Sequence, residues 1–102
     1  MNILKIDTSD NKKTTVSLNV DSRINEQTTR RKKGAQSVLN LISKLLLSEK
    51  MSIFDISEVR VERGPGSFTG LRVGVAIANA LAFSIQKKIN NKDLSELETP
   101  VY

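Results

Sequence analysis

The sequence predicts an α/β domain in which a mixed β-sheet packs against two helices. Segments near the N-terminus alternate apolar and polar residues, as half-buried strands do. Two later segments repeat apolar residues three and four positions apart, which is the helical spacing, and a short alternating segment separates them. The predicted order of elements is therefore β-β-β-α-β-α. A chain of 102 residues is long enough for one such domain with a single core.

Three short strands are predicted before the first helix. Residues 3–7 and 14–20 alternate apolar and polar side chains. Asp21 and Ser22 then turn the chain into a more polar third strand over residues 23–29. Tight turns between short strands predict an antiparallel meander.

Two helices and a fourth strand follow. The first helix is predicted over residues 35–50, and the second begins near Phe68 and runs for about twenty residues. Between them, Ser52 and Asp55 have the spacing of a capping box for a one-turn helix, and residues 58–63 form the fourth strand.

The order of elements also indicates a fold family. It is the order of the first part of a ribonuclease H-like or actin-like ATPase (ASKHA) lobe, a mixed sheet with helices packed against it. We predict that this lobe spans residues 1–88 and that residues 89–102 form a polar tail.

The composition excludes several kinds of chemistry. Cysteine and histidine are absent, which removes disulfides, thiolate and histidine metal sites, and catalysis by Ser-His-Asp or Cys-His groups. No signal-peptide pattern opens the chain, and its apolar stretches are too short and interrupted to span a bilayer. We expect a soluble, cytoplasmic protein without membrane contacts.

The net charge of +5 is compatible with a nucleic-acid contact. The basic residues are densest at Arg30, Arg31, Lys32 and Lys33. The few aromatic residues, three Phe and one Tyr, are scattered and form no stacking platform for bases. A solvated charged surface explains the same composition, and we favour that interpretation.

The segment ERGPGSFTGLRVG, residues 62–74, contains four of the five glycines. A glycine-rich loop before a helix can bind an anion through its backbone N–H groups. The P-loop pattern is absent, and the spacing G-x-G-x-x-x-G breaks the dinucleotide fingerprint. Ser67 or Thr69 can instead cap the helix. Phosphate binding is therefore the less favoured interpretation.

A ridge of small residues runs along the second helix, because Gly70, Gly74, Ala78 and Ala82 are spaced by four. A glycine inside a helix costs about 1 kcal/mol relative to alanine, so a close packing contact at Gly74 should offset that cost. The ridge packs either on this domain's own sheet and first helix or on another molecule, and the pattern is compatible with both.

Three acidic residues are candidates for the metal ligands of a ribonuclease H-like nuclease. Such an enzyme needs carboxylates at the ends of two strands and on the first helix to hold two magnesium ions. Asp7 fits the first position and Glu49 fits the second loosely. Arg63 and Gly64 occupy the third, while Glu62 points to the opposite face of the strand. Nuclease chemistry is therefore a less favoured alternative.

The segments ILKIDTS and DISEVRVERGPGSFTGLRVGVAIANALA resemble the TsaB (YeaZ) family, over residues 1–88. Proteins of this family have the actin-like fold and take part in making threonylcarbamoyladenosine on tRNA. The resemblance implies a scaffold that binds and stabilises a TsaD-like catalytic subunit, in a larger complex with the ATPase TsaE. It implies neither an enzyme nor a protease, and neither a metal nor another cofactor. The second lobe of the family has no counterpart in the sequence.

The resemblance also implies roles for particular residues. The glycine loop turns the chain and places the second helix; its residues are Gly64, Pro65, Gly66, Ser67, Phe68, Thr69 and Gly70. The two helices pair with the partner through Val38, Leu41, Ile42, Leu45, Gly70, Gly74, Ile77, Ala78 and Leu81. A homodimer that uses the same surface stays open as an alternative. A tRNA contact through the basic tract at residues 30–33 is compatible with the pairing.

Overall fold

The computed structural model describes residues 1–30, 35–91, 98, 99 and 101. Its elements are β1 (Asn2–Asp7), β2 (Lys13–Val20), β3 (Arg23–Arg30), α1 (Ala35–Ser48), a 3-10 turn (Ile53–Asp55), β4 (Glu58–Val61), α2 (Phe68–Ile85) and β5 (Lys88–Ile89). The predicted order β-β-β-α-β-α is confirmed, and β5 is added to it.

The strands form one mixed sheet in the order β3-β2-β1-β4-β5. The first three strands pair antiparallel, as the tight turns predicted. β4 lies parallel to β1, and β5 lies parallel to β4. A helix lies in each parallel connection, α1 between β1 and β4 and α2 between β4 and β5. This is the ribonuclease H-like, actin-like arrangement that the element order predicted.

The core lies between the helices and one face of the sheet. Leu4 and Ile6 of β1 are fully buried while Lys5 between them is exposed, so the alternation in the sequence marks the core face. α1 packs on β2 and β3, whereas α2 packs on β4, β1 and β5. Each helix therefore has an inner face that is buried against the sheet.

The short turn before β4 is capped as predicted. The Ser52 hydroxyl accepts a hydrogen bond from the Phe54 N–H at 3.0 Å, and the Asp55 carboxylate accepts one from the Ser52 N–H at 2.8 Å. Both halves of the capping box are therefore formed, with Asp55 in the position that glutamate more often takes.

β5 lies at the boundary between the predicted lobe, residues 1–88, and the predicted polar tail. Ile89 pairs with Val59 of β4 and is 2% exposed. A strand of two residues is too short to show alternation, which is why the periodicity of the sequence missed it.

Among the described residues, α2 alone is long and apolar enough to cross a membrane, judged by length and composition. The expectation that the apolar stretches are too short for a span is therefore wrong by this criterion. Packing of the inner face of α2 on the sheet accounts for much of its apolar composition, since core helices of soluble proteins meet the same criterion.

Candidate functional site

The glycine loop joins β4 to α2 and requires glycine at its first position. Gly64 has a φ of +115°, a backbone conformation that side chains rarely adopt. A Cβ placed there would lie 2.7 Å from Leu71 Cδ1 and would also overlap the Val101 carbonyl. The following peptide bond, Gly64–Pro65, is cis.

The loop packs closely on the turn after β1. The Ser67 N–H donates to the Ser9 carbonyl at 2.8 Å. A Cβ at Gly66 would lie 2.5 Å from the Ser9 oxygen and 2.8 Å from its Cβ, so a side chain cannot fit there without displacing the turn. Ser67 then caps α2, because its side chain accepts a hydrogen bond from the Gly70 N–H at 3.3 Å. Of the two predicted caps, Ser67 is the one that forms.

These contacts occupy donors that an anion would need. The Ser67 N–H and the Gly70 N–H both bond within the chain, and the Leu71 N–H donates to the Ser67 carbonyl at 2.9 Å. Asp7 closes the neighbouring turn by accepting from the Ser9 N–H at 3.0 Å and from the Ser9 hydroxyl at 2.6 Å. The geometry therefore favours a packing role for the loop over a phosphate cradle.

The ridge of small residues on α2 faces the end of β1. Thr8 is fully buried, and its hydroxyl donates to the Gly70 carbonyl at 2.6 Å. A Cβ at Gly74 would overlap that hydroxyl and would lie 3.1 Å and 3.2 Å from the Thr8 Cβ and Cγ2. Ala78 and Ala82 continue the ridge and are buried. The chain's own sheet thus offsets the cost of Gly74.

Most of the residues expected at a partner interface are buried within this chain. The residues that the chain itself buries are Val38, Leu41, Ile42, Leu45, Gly70, Gly74 and Ala78. The apolar stripe of α1 forms the core with the sheet, because an amphipathic helix in a two-layer fold turns that stripe inward. Ile77 borders the surface at 9% exposure and Leu81 is half-buried, so these two retain some access.

The opposite side of α2 is mostly exposed, and we call it the outer face; its residues are Phe68, Arg72, Val73, Ala76, Ala80 and Phe83. Val73 alone among them is half-buried, against the edge of the core. Phe68 is 57% exposed and Phe83 is 70% exposed. The Arg72 guanidinium lies 5.5 Å from the centre of the Phe68 ring, in cation–π contact. The periodicity of the sequence predicts that these positions are helical, but it does not predict which face of the helix is exposed.

A groove of about 460 Å³ lies beside the outer face. Ala35, at the start of α1, forms part of its lining together with residues of α2, which are Thr69, Arg72, Val73, Ala76 and Ile77. Leu39 is 40% exposed and lies one turn after Ala35 on the same side of α1. The surface between the two helices is thus concave and mainly apolar.

The carboxylates that are candidate metal ligands of a nuclease do not lie together at one site. Asp7 lies at the last position of β1, whereas Glu49 binds Arg23 of β3. Arg23 pairs with Val20 of β2, and Val20 pairs with Asn2 at the other end of β1, about 16 Å from Asp7 along a six-residue strand. Arg23 donates to the two carboxylate oxygens at 2.7 Å and 3.0 Å, and Asn25 donates at 2.9 Å. These hydrogen bonds, with that of Arg23 the largest cause, lower the pKa of Glu49 to about 2. The described residues contain no cluster of three or more potential metal ligands.

Only the first residue of the basic tract, Arg30, is among the residues that the structure describes. Arg30 is exposed at the end of β3. Arg31, Lys32 and Lys33 lie outside the described residues.

The sequence matches known proteins along most of its length. A family model, "TsaD: tRNA N6-adenosine threonylcarbamoyltransferase", matches residues 24–91. The tRNA threonylcarbamoyladenosine biosynthesis protein TsaB of Bacillus subtilis (strain 168) is 38% identical over 100 residues, which are 97% of this chain and 43% of that protein. The protein of the same name from Escherichia coli (strain K12) is 39% identical over 51 residues, which are 50% of this chain and 22% of that protein.

The fold matches solved structures as well. YeaZ from Pseudomonas aeruginosa superposes with a TM-score of 0.82 at 27% identity, over 87% of this chain and 43% of that chain. A second structure, described as an uncharacterized protein with similarity to peptidase YeaZ from the same organism, has a TM-score of 0.81 at 27% identity, over 86% and 41% of the two chains. The chain thus spans less than half the length of these relatives. The family model, the curated relatives and the superpositions agree, and the chain belongs to the TsaD family, among its TsaB (YeaZ) proteins.

Proposed function

We propose that the chain is a non-catalytic scaffold subunit in the synthesis of threonylcarbamoyladenosine on tRNA, and that it binds and stabilises a TsaD-like catalytic subunit. The main support for this proposal is the exposed apolar face of α2. The chain that presents this face is similar to a TsaB protein along 97% of its length. Because tRNA is the substrate of this modification, we place the protein in the cytoplasm.

The outer face of α2 has the composition of a protein interface. Burial of an exposed aromatic side chain such as Phe68 or Phe83 stabilises a complex by about 1.5–3 kcal/mol. Aromatic residues, including phenylalanine, and arginine are enriched at protein interfaces, and Arg72 lies against Phe68. Ala76 and Ala80 lie between the two phenylalanines and would let a partner helix approach closely.

The groove between the helices supplies the second part of the proposed interface. Ala35 lines it on α1, and Val73 and Ile77 line it on α2. Leu39 is exposed one turn after Ala35 and extends the apolar surface of α1. We propose that a helix of the TsaD-like subunit lies along this groove and forms a bundle with α1 and α2. This proposal retains the helix pairing that the resemblance implies, but it assigns the contacts to the outer faces of the helices instead of their inner faces.

The carboxylates and the loop serine support a structural rather than a catalytic role. Asp7 closes a turn, Glu49 binds Arg23, and the Ser67 hydroxyl caps α2. The 102 residues include neither the histidine nor the cysteine that Ser-His and Cys-His peptidases use. We therefore assign the transfer chemistry to the partner subunit rather than to this chain.

Two further contacts belong to the same proposal. The ATPase TsaE would join the complex of the two subunits, and the basic tract that begins at Arg30 would contact tRNA. A tRNA contact of this kind weakens steeply as salt rises, because Lys and Arg release counterions from phosphate. A homodimer through the outer face is the alternative to the heterodimer.

Co-purification with a TsaD-like subunit from the same organism tests the interface. Ala76→Glu places a charge in the middle of the outer face at an exposed helix position, so the fold should tolerate it. Asn40→Glu is the matched control, because Asn40 is exposed on α1 and lines a separate pocket between α1 and β3.

We expect Ala76→Glu to abolish co-purification and Asn40→Glu to retain it, with both variants folded by circular dichroism. Equal retention in the two variants would overturn the interface. Sedimentation of the isolated chain addresses the alternative: a dimer that Ala76→Glu dissociates, together with no binding of the TsaD-like subunit, would replace the heterodimer by the homodimer.

A further inference from the structure

Three residues near the C-terminus lie across the end of β4, and we call them the strap: Glu98, Thr99 and Val101. The Val101 N–H donates to the Arg63 carbonyl at 2.6 Å, and the Arg63 Nε donates to the Thr99 carbonyl at 2.9 Å. The backbone of the strap is therefore bound to the residue directly before Gly64.

An asparagine of α2 binds the other end of the strap. The Asn79 side-chain oxygen accepts from the Glu98 N–H at 2.9 Å, and its amide nitrogen donates to the Glu98 carbonyl at 3.0 Å. One side chain thus satisfies both backbone groups of Glu98, as a neighbouring strand would. This pair of bonds ties the middle of α2 to the strap.

The Glu98 side chain anchors the strap from inside. It is 2% exposed, and its Oε2 accepts from the Asn90 Nδ2 at 2.5 Å. Its Oε1 lies 3.4 Å from the Arg63 Nε as an ion pair. Burying a carboxylate costs a large amount of free energy unless donors or cations face it. Asn90 and Arg63 are therefore the groups that allow the Glu98 side chain to be buried here.

Asn90 connects the anchor to the sheet. Its side-chain oxygen accepts from the Val61 N–H at 2.8 Å, and its amide nitrogen donates to the Val61 carbonyl at 3.1 Å. The asparagine therefore takes the place of a strand beside Val61, just beyond β5. Through it, the Glu98 carboxylate is bound to the same strand end that starts the glycine loop.

The anchored positions flank the glycine loop on both sides. Arg63 precedes the loop, Asn79 lies on the helix that follows it, and the Val101 carbonyl occupies the space beside Gly64. We infer that the strap is a latch: while it is bound, it holds the glycine loop and α2 in their packed arrangement, and its release frees the loop. This inference concerns the isolated chain and does not depend on the proposed partner.

Amide hydrogen exchange of Glu98→Ala in the full chain tests the latch. The control is Glu26→Ala, which removes an exposed glutamate of β3. We expect exchange on the order of tenfold faster in Glu98→Ala, as local opening predicts, at the hydrogen-bonded amides of Gly64, Ser67 and Gly70. The amides in the pairing of β1 with β2 should keep their rates. Loop exchange no faster than in Glu26→Ala would overturn the latch.

A second variant keeps the test decisive if Glu98→Ala does not fold. Asn79→Asp has nearly the same shape but replaces the donor to the Glu98 carbonyl by an acceptor. It should accelerate exchange at the same loop amides while the chain remains folded by circular dichroism. Unchanged loop exchange in folded Asn79→Asp would equally overturn the inference.

Discussion

Replacing Gly74 by alanine sets two effects of opposite sign against each other. Alanine is the better helix former by about 1 kcal/mol, which would stabilise α2. A Cβ at Gly74, however, would overlap the Thr8 hydroxyl and lie 3.1 Å from the Thr8 Cβ. Thr8 is fully buried and hydrogen-bonded to the Gly70 carbonyl at 2.6 Å, so its side chain cannot swing away without a cost.

The structure indicates that the steric effect is the larger one. Overpacking a core typically costs about 1–3 kcal/mol, and loss of the Thr8 hydrogen bond adds about 1 kcal/mol. After subtraction of the gain in helix propensity, Gly74→Ala should lower the free energy of unfolding by about 1–3 kcal/mol. Urea unfolding followed by circular dichroism, with linear extrapolation to water, measures this change.

A double-mutant cycle identifies the contact responsible. In the background of Thr8→Ala, which removes the hydroxyl, the cost of Gly74→Ala should shrink or change sign. Ala80→Gly is a control at an exposed position of α2 and should report the helix propensity alone, about 1 kcal/mol. Stabilisation by Gly74→Ala in the native background would refute the packing of the ridge on β1.

Three further predictions concern other sites. Arg23→Gln should raise the pKa of Glu49 from about 2 toward its usual range, as measured by NMR titration, and an unchanged pKa would contradict the pairing. Because the pKa of Glu49 is lowered in the folded state, its ion pair with Arg23 stabilises the fold fully above the ordinary glutamate pKa of about 4.3. As pH falls toward 2, the native protein should lose this stabilisation, whereas Arg23→Gln has none of it to lose. Gly64→Ala should destabilise the fold by more than 1 kcal/mol in urea unfolding, given its φ of +115°, and a neutral effect would contradict that backbone. Phe83→Ser should change the free energy of unfolding by less than about 0.5 kcal/mol, and a larger loss would mean that Phe83 is packed in the core.

The elements could be predicted because each has a local cause in the sequence. The inward side chains of β2, Val16 and Leu18, alternate with polar ones, and that alternation gives the strand. The turn capped by Ser52 and Asp55 depends only on residues three positions apart. The order of such elements then sufficed to predict the lobe.

The orientation of α2 could not be predicted because it depends on a distant residue. A ridge of small side chains is compatible with close approach to any backbone, and only the position of Thr8 at the end of β1 shows which one is approached. The sequence does not predict the latch for a similar reason. Asn79 and Glu98 are 19 positions apart, and no periodic pattern links two polar residues at that spacing.

Isothermal titration of the isolated chain with a TsaD-like subunit from the same organism tests the scaffold role most directly. We predict a complex of one copy of each chain with a negative heat-capacity change, because the outer face of α2 would bury its exposed phenylalanines. Ala76→Glu should weaken the affinity at least tenfold, which corresponds to about 1.4 kcal/mol. Absence of binding by the native chain, or binding that Ala76→Glu leaves unchanged, would contradict the account.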